Sequence, residues 1–157
     1  MADAEEIKRL LEATSGVWQK SWRDTAVTQA LQAAGRLALV ALRSGKIIGF
    51  ACLHDVGFRA YLSEMVVAES EQGMGTGSAL LEVAEQMLEA VGCQRIVADA
   101  YPPSEGFYRN QGWVTPNAVL LAKDISREGG ETNLKSSEAA PQTQDTRLQD
   151  TRRRNLT

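Results

Sequence analysis

The run QGMGTG at residues 72–77 and the mid-strand Glu64 are the parts of this sequence best suited to chemistry. The run sets Gly73, Gly75 and Gly77 on alternate positions, directly ahead of a leucine-rich helical pattern. A glycine inside a helix costs about 1 kcal/mol relative to alanine, so three at a helix entrance need a reason. A strand, a glycine turn and a helix in succession make an anion site. The first N–H groups of a helix lack intrahelical partners, and the helix dipole adds about half a positive charge there. Glycines let a phosphate approach the backbone and let the chain take positive φ. The ligand this points to is nucleotide-like and carries phosphate. The alternative is a tight turn that binds nothing.

Glu64 lies mid-strand in YLSEMVV, which by simple alternation puts it on the same face as Leu62 and Val66. A carboxylate among apolar neighbours has a raised pKa and can accept a proton, directly or through water. Otherwise it is an exposed edge glutamate or half of a core ion pair. Asp99, in VADAY, and His54, at the end of ACLH, are the other candidate bases. His54 has a suitable intrinsic pKa, although a lone histidine at a strand end is also an ordinary surface residue. Tyr108 reads by itself as an amphipathic tyrosine that packs a short helix. Trp18 and Trp22 either line a site or staple two helices together.

Positioning these residues requires elements, and the sequence supplies them. Residues 3–13 read as a helix with Ile7, Leu10 and Leu11 on one face, and residues 25–34 as a second helix stopped by Gly35. Two apolar runs around Ser44-Gly45 predict a hairpin, and residues 60–67 predict a third strand. The helix after the glycine turn carries the stripe Gly77, Leu80, Leu81, Ala84, Met87, Leu88 and Val91 and ends at Gly92. A strand over 95–101, a short helix over 103–112 and one or two strands in WVTPNAVLLAKD complete the reading. The expected fold is α/β: an antiparallel meander followed by a strand–helix–strand crossover.

Length and composition bound the rest. With 157 residues, the chain suits one domain with a sizeable core. From Ile125 onward there is no Phe, Tyr, Trp or Val, so that segment cannot bury enough apolar surface to offset its ordering entropy. The expected division is a domain over 1–124 and a disordered tail over 125–157. The tail carries net +1 and residues 1–124 net −4, which argues against nucleic acid as the main partner. No apolar run reaches the roughly 18–20 residues of a membrane span, so no membrane partner is expected. Cys52 and Cys93 sit in apolar stretches without metal-ligand spacing, and His54 is the only histidine. The expectation is reduced core cysteines, no metal and a cytoplasmic protein.

Two phosphate motifs fit poorly. No lysine follows Gly75 or Gly77 as a Walker loop requires, and the glycine spacing is GxGxG rather than GxGxxG. A third pattern fits. VVAESEQGMGTGSALL resembles the acyl-coenzyme A site of the GNAT superfamily of N-acetyltransferases, whose [RQ]xxGx[GA] motif is met by Gln72, Gly75 and Gly77. YLSEMVV and EGFYRNQGW resemble the strand before that site and the family's FYxxxGF element, with Trp113 in place of Phe. The resemblance covers roughly residues 3–122.

The resemblance implies a mostly antiparallel central sheet flanked by helices, and acetyl-coenzyme A as co-substrate. It also implies direct acetyl transfer to a primary amine without a covalent enzyme intermediate. It assigns the coenzyme to Met65, Val66 and Val67, to Gln72, Gly73, Met74, Gly75, Thr76, Gly77 and Ser78, and to Arg109 for the 3′-phosphate. A backbone N–H near Val66 would hold the oxyanion, Tyr108 would protonate the leaving thiolate, and Glu64 is the favoured base. Acidic residues at the presumed mouth (Glu64, Asp55, Glu105) suit a cationic acceptor, a small amine or amino-acid derivative. A protein terminus or lysine, or a module that binds acyl-coenzyme A without turnover, are the alternatives. Two departures stand out. Gln72 occupies a position where Arg is commoner. The strand that often precedes the first helix is not found before Ala2: the expectation is that it is absent or that the true start lies upstream of Met1. Without it, the strand starting near Arg36 becomes a sheet edge. LALVAL there is apolar on both faces, and the expectation is a homodimer that covers it, or shielding by the helix over 25–34.

Overall fold

Two turns and two bulges decide how the sheet is laid out, one bulge at Ile48 of the second strand and one in the third. The computed structural model describes residues 4–123 and 125. Its helices and strands all lie within Met1–Leu120, one compact unit. In chain order they are α1 (Ala4–Ala13), α2 (Ala26–Ala34), β1 (Ala38–Arg43), β2 (Lys46–Asp55), β3 (Ala60–Val67), α3 (Thr76–Glu89), β4 (Ile96–Ala98) and α4 (Pro102–Asn110). The sheet order is β1-β2-β3-β4, antiparallel for the first two pairings and parallel between β3 and β4. This is the expected meander plus crossover, with α3 as the crossover helix. β1 stands at one edge of the sheet formed by the described residues. The β1–β2 turn has positive φ at both Ser44 (50°) and Gly45 (77°). That combination matches the right-handed twist of the flanking strands.

β2 explains the two-layer packing. Its run Phe50, Ala51, Cys52, Leu53 is buried on both faces. Ala51 and Leu53 meet Leu80, Leu81, Ala84 and Leu88 of α3. Phe50 and Cys52 meet Ile7, Leu10 and Leu11 of α1 and Val27 of α2. Removing the Phe50 ring, which is 2% exposed, would cost about 3–5 kcal/mol through lost burial and the cavity left behind.

On β3 simple alternation fails. Cys52 pairs with Glu64, but the next residue, Leu53, pairs with Leu62. Ser63 is therefore one residue too many, a β-bulge. Leu62 belongs to the α3-side core and Val66 to the α1/α2-side core. The expectation that Leu62, Glu64 and Val66 share a face is thus corrected: Glu64 keeps company with Val66 and not with Leu62.

Three other expectations change. Val91 lies beyond α3 and is 48% exposed, so it is not part of the stripe. β4 spans Ile96–Ala98 rather than 95–101, because its pairing ends at Leu62–Ala98, where the bulge begins. Residues 113–123 form no strand. Only Trp113 packs against the core there, while Val114, Val119 and Leu120 are exposed and Pro116 lacks the N–H a ladder needs. The expected tail, apart from Ile125, lies outside the described residues. Among the described residues no helix is long and apolar enough to cross a membrane.

Candidate functional site

The short β4 opens the site. Past Leu62–Ala98, β3 runs on to Val67 with no strand on its β4 side. The gap is a cleft of about 1170 Å3. Its walls are Met65, Val66 and Val67 on β3, the turn with Gln72, Gly73, Gly75, Gly77 and Ser78, and Phe107 and Tyr108 on α4. Most residues expected to hold a coenzyme are thereby brought together. Three lie elsewhere. Met74 is exposed, with Arg43 Nη1 3.8 Å from its Sδ. Thr76 opens α3 and turns its methyl toward the sheet, 3.2 Å from where a Cβ on Gly49 would sit. Arg109 is ion-paired with Glu105 at 2.9 Å, also donates to Thr115 Oγ1, and does not line the cleft.

The three glycines serve two purposes. Gly73 and Gly75 have φ of 74° and 84°, and a Cβ on either would meet nothing within 4 Å. They bend the chain and leave the cradle open. Gly77 has ordinary helical geometry, but a Cβ there would lie 3.0 Å from Met65 Cε and 3.2 Å from Phe107 Cζ. It lets α3 pack close to β3 and α4. The first helical bond runs from Ala79 N–H to Gly75 O (2.9 Å), so the amides of Thr76, Gly77 and Ser78 precede it and point out of the helix start. Gln72 Nε2 donates to Val67 O at 3.0 Å and fastens the turn to the end of β3. No Lys or Arg lines the cleft, whereas Glu69 and Glu71 do. Glu71 Oε2 sits 2.7 Å from Arg43 Nη1, an ion pair without hydrogen-bond alignment.

The Tyr108 hydroxyl is 3.8 Å from Met65 Sδ, and its ring packs against Phe107 and Trp113 at 5.1 Å and 5.2 Å. Burial, and then the charges of Asp99 and Glu64, push this phenol above its usual pKa, so it holds its proton at neutral pH. Glu64 points to the other side of the sheet. It lines a second pocket, of about 300 Å3, together with Leu11, Trp22, Val27, Ala30 and Phe50. Burial, and then the nearby Asp99 carboxylate, raise Glu64 to about 7. Trp22 lines this pocket, while Trp18 packs edge-on against it at 5.3 Å.

The other candidate bases are engaged. Asp99 accepts from the Tyr61 hydroxyl at 2.5 Å. His54 Nε2 lies 3.0 Å from Ser63 Oγ, whose own proton goes to Cys52 O at 3.1 Å. His54 Nε2 is thus held by a hydrogen-bond chain that runs through Ser63 to the backbone of β2. Asp55 caps the amide of Gly57 at 2.9 Å, and Glu105 is held by Arg109. Of the three acidic residues expected at an acceptor mouth, only Glu64 lies in the pocket. Ser63 and Tyr61 went unnoticed in the sequence. A bulge has no signal in apolar alternation, and the Tyr61–Asp99 contact joins two strands whose register the sequence does not state. Among the described residues no group of three or more His, Cys, Asp or Glu is placed to hold a metal ion.

Comparison with known proteins agrees with this geometry. Residues 5–113 match the sequence model of the acetyltransferase (GNAT) family. No curated protein matches the chain. An acetyltransferase from Trypanosoma brucei is 20% identical, with 77% of this chain and 92% of that chain covered at a TM-score of 0.55. A ribosomal-protein-alanine N-acetyltransferase from Brucella melitensis biovar Abortus 2308 is 22% identical, with 78% and 92% covered at a TM-score of 0.62. AAC(6')-Iy, solved with the bisubstrate analog CoA-S-monomethyl-acetylneamine, is 19% identical, with 78% and 92% covered at a TM-score of 0.62. At these identities the likeness is one of fold.

Proposed function

The chain belongs to the acetyltransferase (GNAT) family, and on that footing we propose that it moves the acetyl group of acetyl-coenzyme A directly to a primary amine of a small molecule or amino-acid derivative. The observation that carries this reading is the bulge at Ser63. It sends Glu64 into the small pocket, while Met65, Val66 and Val67 wall the large cleft. One strand therefore offers a base on one side and a donor site on the other. The cradle fits a pyrophosphate: Gly73 and Gly75 leave its floor free of Cβ atoms, and the first amides of α3 supply donors.

The chemistry follows from these placements. Glu64 takes a proton from the alkylammonium, which has a pKa of ~10 and is not nucleophilic until it loses one. The amine nitrogen bonds to the thioester carbonyl carbon, and the oxyanion is met by a backbone N–H near Val66, on the stretch of β3 that has no β4 neighbour. The C–S bond then breaks, Tyr108 gives its proton to the departing thiolate, and the second proton that the nitrogen sheds on becoming an amide returns Tyr108 to its neutral form. Free thiols at Cys52 and Cys93 suit a reducing compartment, and we place the protein in the cytoplasm.

The test is coenzyme release from acetyl-coenzyme A over a panel of primary amines, with Tyr108→Phe alongside. Loss of one general acid should lower kcat by about 10–1000-fold at unchanged coenzyme affinity. Tight binding of acetyl-coenzyme A with no turnover of any amine would mark a non-catalytic module, and equal kcat in the two proteins would leave Tyr108 a packing role only.

A further inference from the structure

The Glu64 pocket has a basic residue in its lining as well as an acidic one. Its lining includes Arg23, from the segment between α1 and α2. Arg23 is exposed, and among the described residues no carboxylate pairs with its guanidinium. The rest of the lining is largely apolar and aromatic, with Leu11, Trp22, Val27 and Phe50. At about 300 Å3 the pocket stands at the small end of the range for small-molecule sites. An isolated guanidinium presents a planar fork of donors suited to a carboxylate or phosphate.

We infer that this pocket selects a free amino acid or similar amino-carboxylate with an apolar side chain: its amine at Glu64, its body against Trp22 and Phe50, and its anionic group at Arg23. This rests on the acetyl-transfer reading and narrows its acceptor. A lysine side chain or a protein N-terminus carries no free carboxylate beside its amine, so neither would engage Arg23. A plain alkylamine would engage Glu64 and the apolar wall but leave the guanidinium without its ion.

Matched pairs of amines that differ only in the carboxylate test this: L-phenylalanine against phenethylamine, L-leucine against isoamylamine, and 5-aminopentanoate against butylamine. Coenzyme release gives kcat/KM for each, and calorimetry gives affinity without turnover. A charge-assisted bond to the carboxylate should favour the carboxylate member of at least one pair by about tenfold or more. Arg23→Gln should bring that ratio close to one, acting on KM or affinity, and Arg23→Lys should restore part of it. Equal or better use of the plain amines, or a preference that survives Arg23→Gln, overturns the inference while leaving acetyl transfer intact. Absence of all turnover overturns the acetyl-transfer reading. In that case, carboxylate-dependent binding lost in Arg23→Gln still upholds the pocket's selectivity, and no binding of any carboxylate member overturns it.

Discussion

Leu62 and Glu64 stand two residues apart on β3 and face opposite sides of the sheet. Leu62 is 3% exposed among the α3-side residues, and Glu64 lines the pocket beside Trp22 and Phe50. The residue between them, Ser63, is the unpaired one, held by its hydroxyl bond to Cys52 O and by His54. β4 pairing stops at the same place. A single inserted residue thus turns a carboxylate out of the α3-side core and marks where the cleft opens.

That placement gives Glu64 a pKa of about 7, and two pH dependences follow. A base must be deprotonated, so kcat/KM should rise with pH through about 7. Asp99→Asn removes the second cause of the shift and should move this acid limb to lower pH. Glu64→Gln should abolish the limb and lower kcat by about 10²–10⁴-fold. For stability the sign is the reverse of a salt-bridged carboxylate. The folded pKa lies above the ordinary 4.5, so the folded state binds more protons within that window and loses stability as pH rises through it. Glu64→Gln should therefore raise the melting temperature relative to wild type more at about pH 8 than at about pH 4. A rate profile flat across neutrality would remove Glu64 from the role of base.

Gly75 and Gly77 should respond differently to a side chain. Gly75→Val meets no protein atom but places a β-branched residue at φ 84°, a backbone cost of about 1–2 kcal/mol. It also fills the cradle, so acetyl-coenzyme A binding should be lost while the fold persists. Gly77→Ala crowds Met65 and Phe107. Overpacking of about 1–3 kcal/mol is offset in part by the better helix propensity of alanine, about 1 kcal/mol. Urea melts and calorimetry on both variants separate the effects. Unchanged coenzyme affinity in folded Gly75→Val would remove the coenzyme from this turn.

The sequence made the element order, the hairpin turn and the glycine turn ahead of α3 legible because each has a local cause: helical stripes, the Ser44-Gly45 pair, and glycines before a helix. It placed Glu64 correctly beside Val66 and wrongly beside Leu62, since alternation carries no mark of an inserted residue. The C-terminal run from Trp113 looked strand-like because Trp113 and Val114 and the contiguous Val119, Leu120 and Leu121 are apolar. Only contact with a neighbouring strand could make it one, and β4 ends at Ala98. The pairings of Tyr61 with Asp99 and of Arg43 with Glu71 join residues about 38 and 28 positions apart; neither has a sequence signature.

Gln72 replaces the commoner arginine and spends its amide on Val67 O. With Glu69 and Glu71 on the cleft wall and no basic residue there, a coenzyme bound in this cleft would have only backbone amides for its phosphates. Gln72→Arg should tighten acetyl-coenzyme A binding by several-fold, on the order of one charge-assisted bond, and the gain should shrink as salt is raised. Calorimetry at low and high ionic strength reads both. An affinity that does not move would mean the phosphates do not lie near Gln72.

β1 gives the last prediction. It pairs only with β2, so its outer backbone groups face no strand among the described residues. Helices pack on both of its faces: Leu39 reaches the α3-side core and Val40 the α1/α2-side core. Neither layer supplies hydrogen-bond partners to the strand's outer edge. An unguarded edge of this kind favours pairing with a second chain, and we predict a homodimer joined through β1. Leu42 is the cleaner probe, since it is 62% exposed whereas Leu39 also packs in the core. Leu42→Lys should shift the protein toward monomer in sedimentation with little change in melting temperature. Wild type that sediments as a monomer at high micromolar concentration would rule the dimer out and leave the flanking loops to shield the edge.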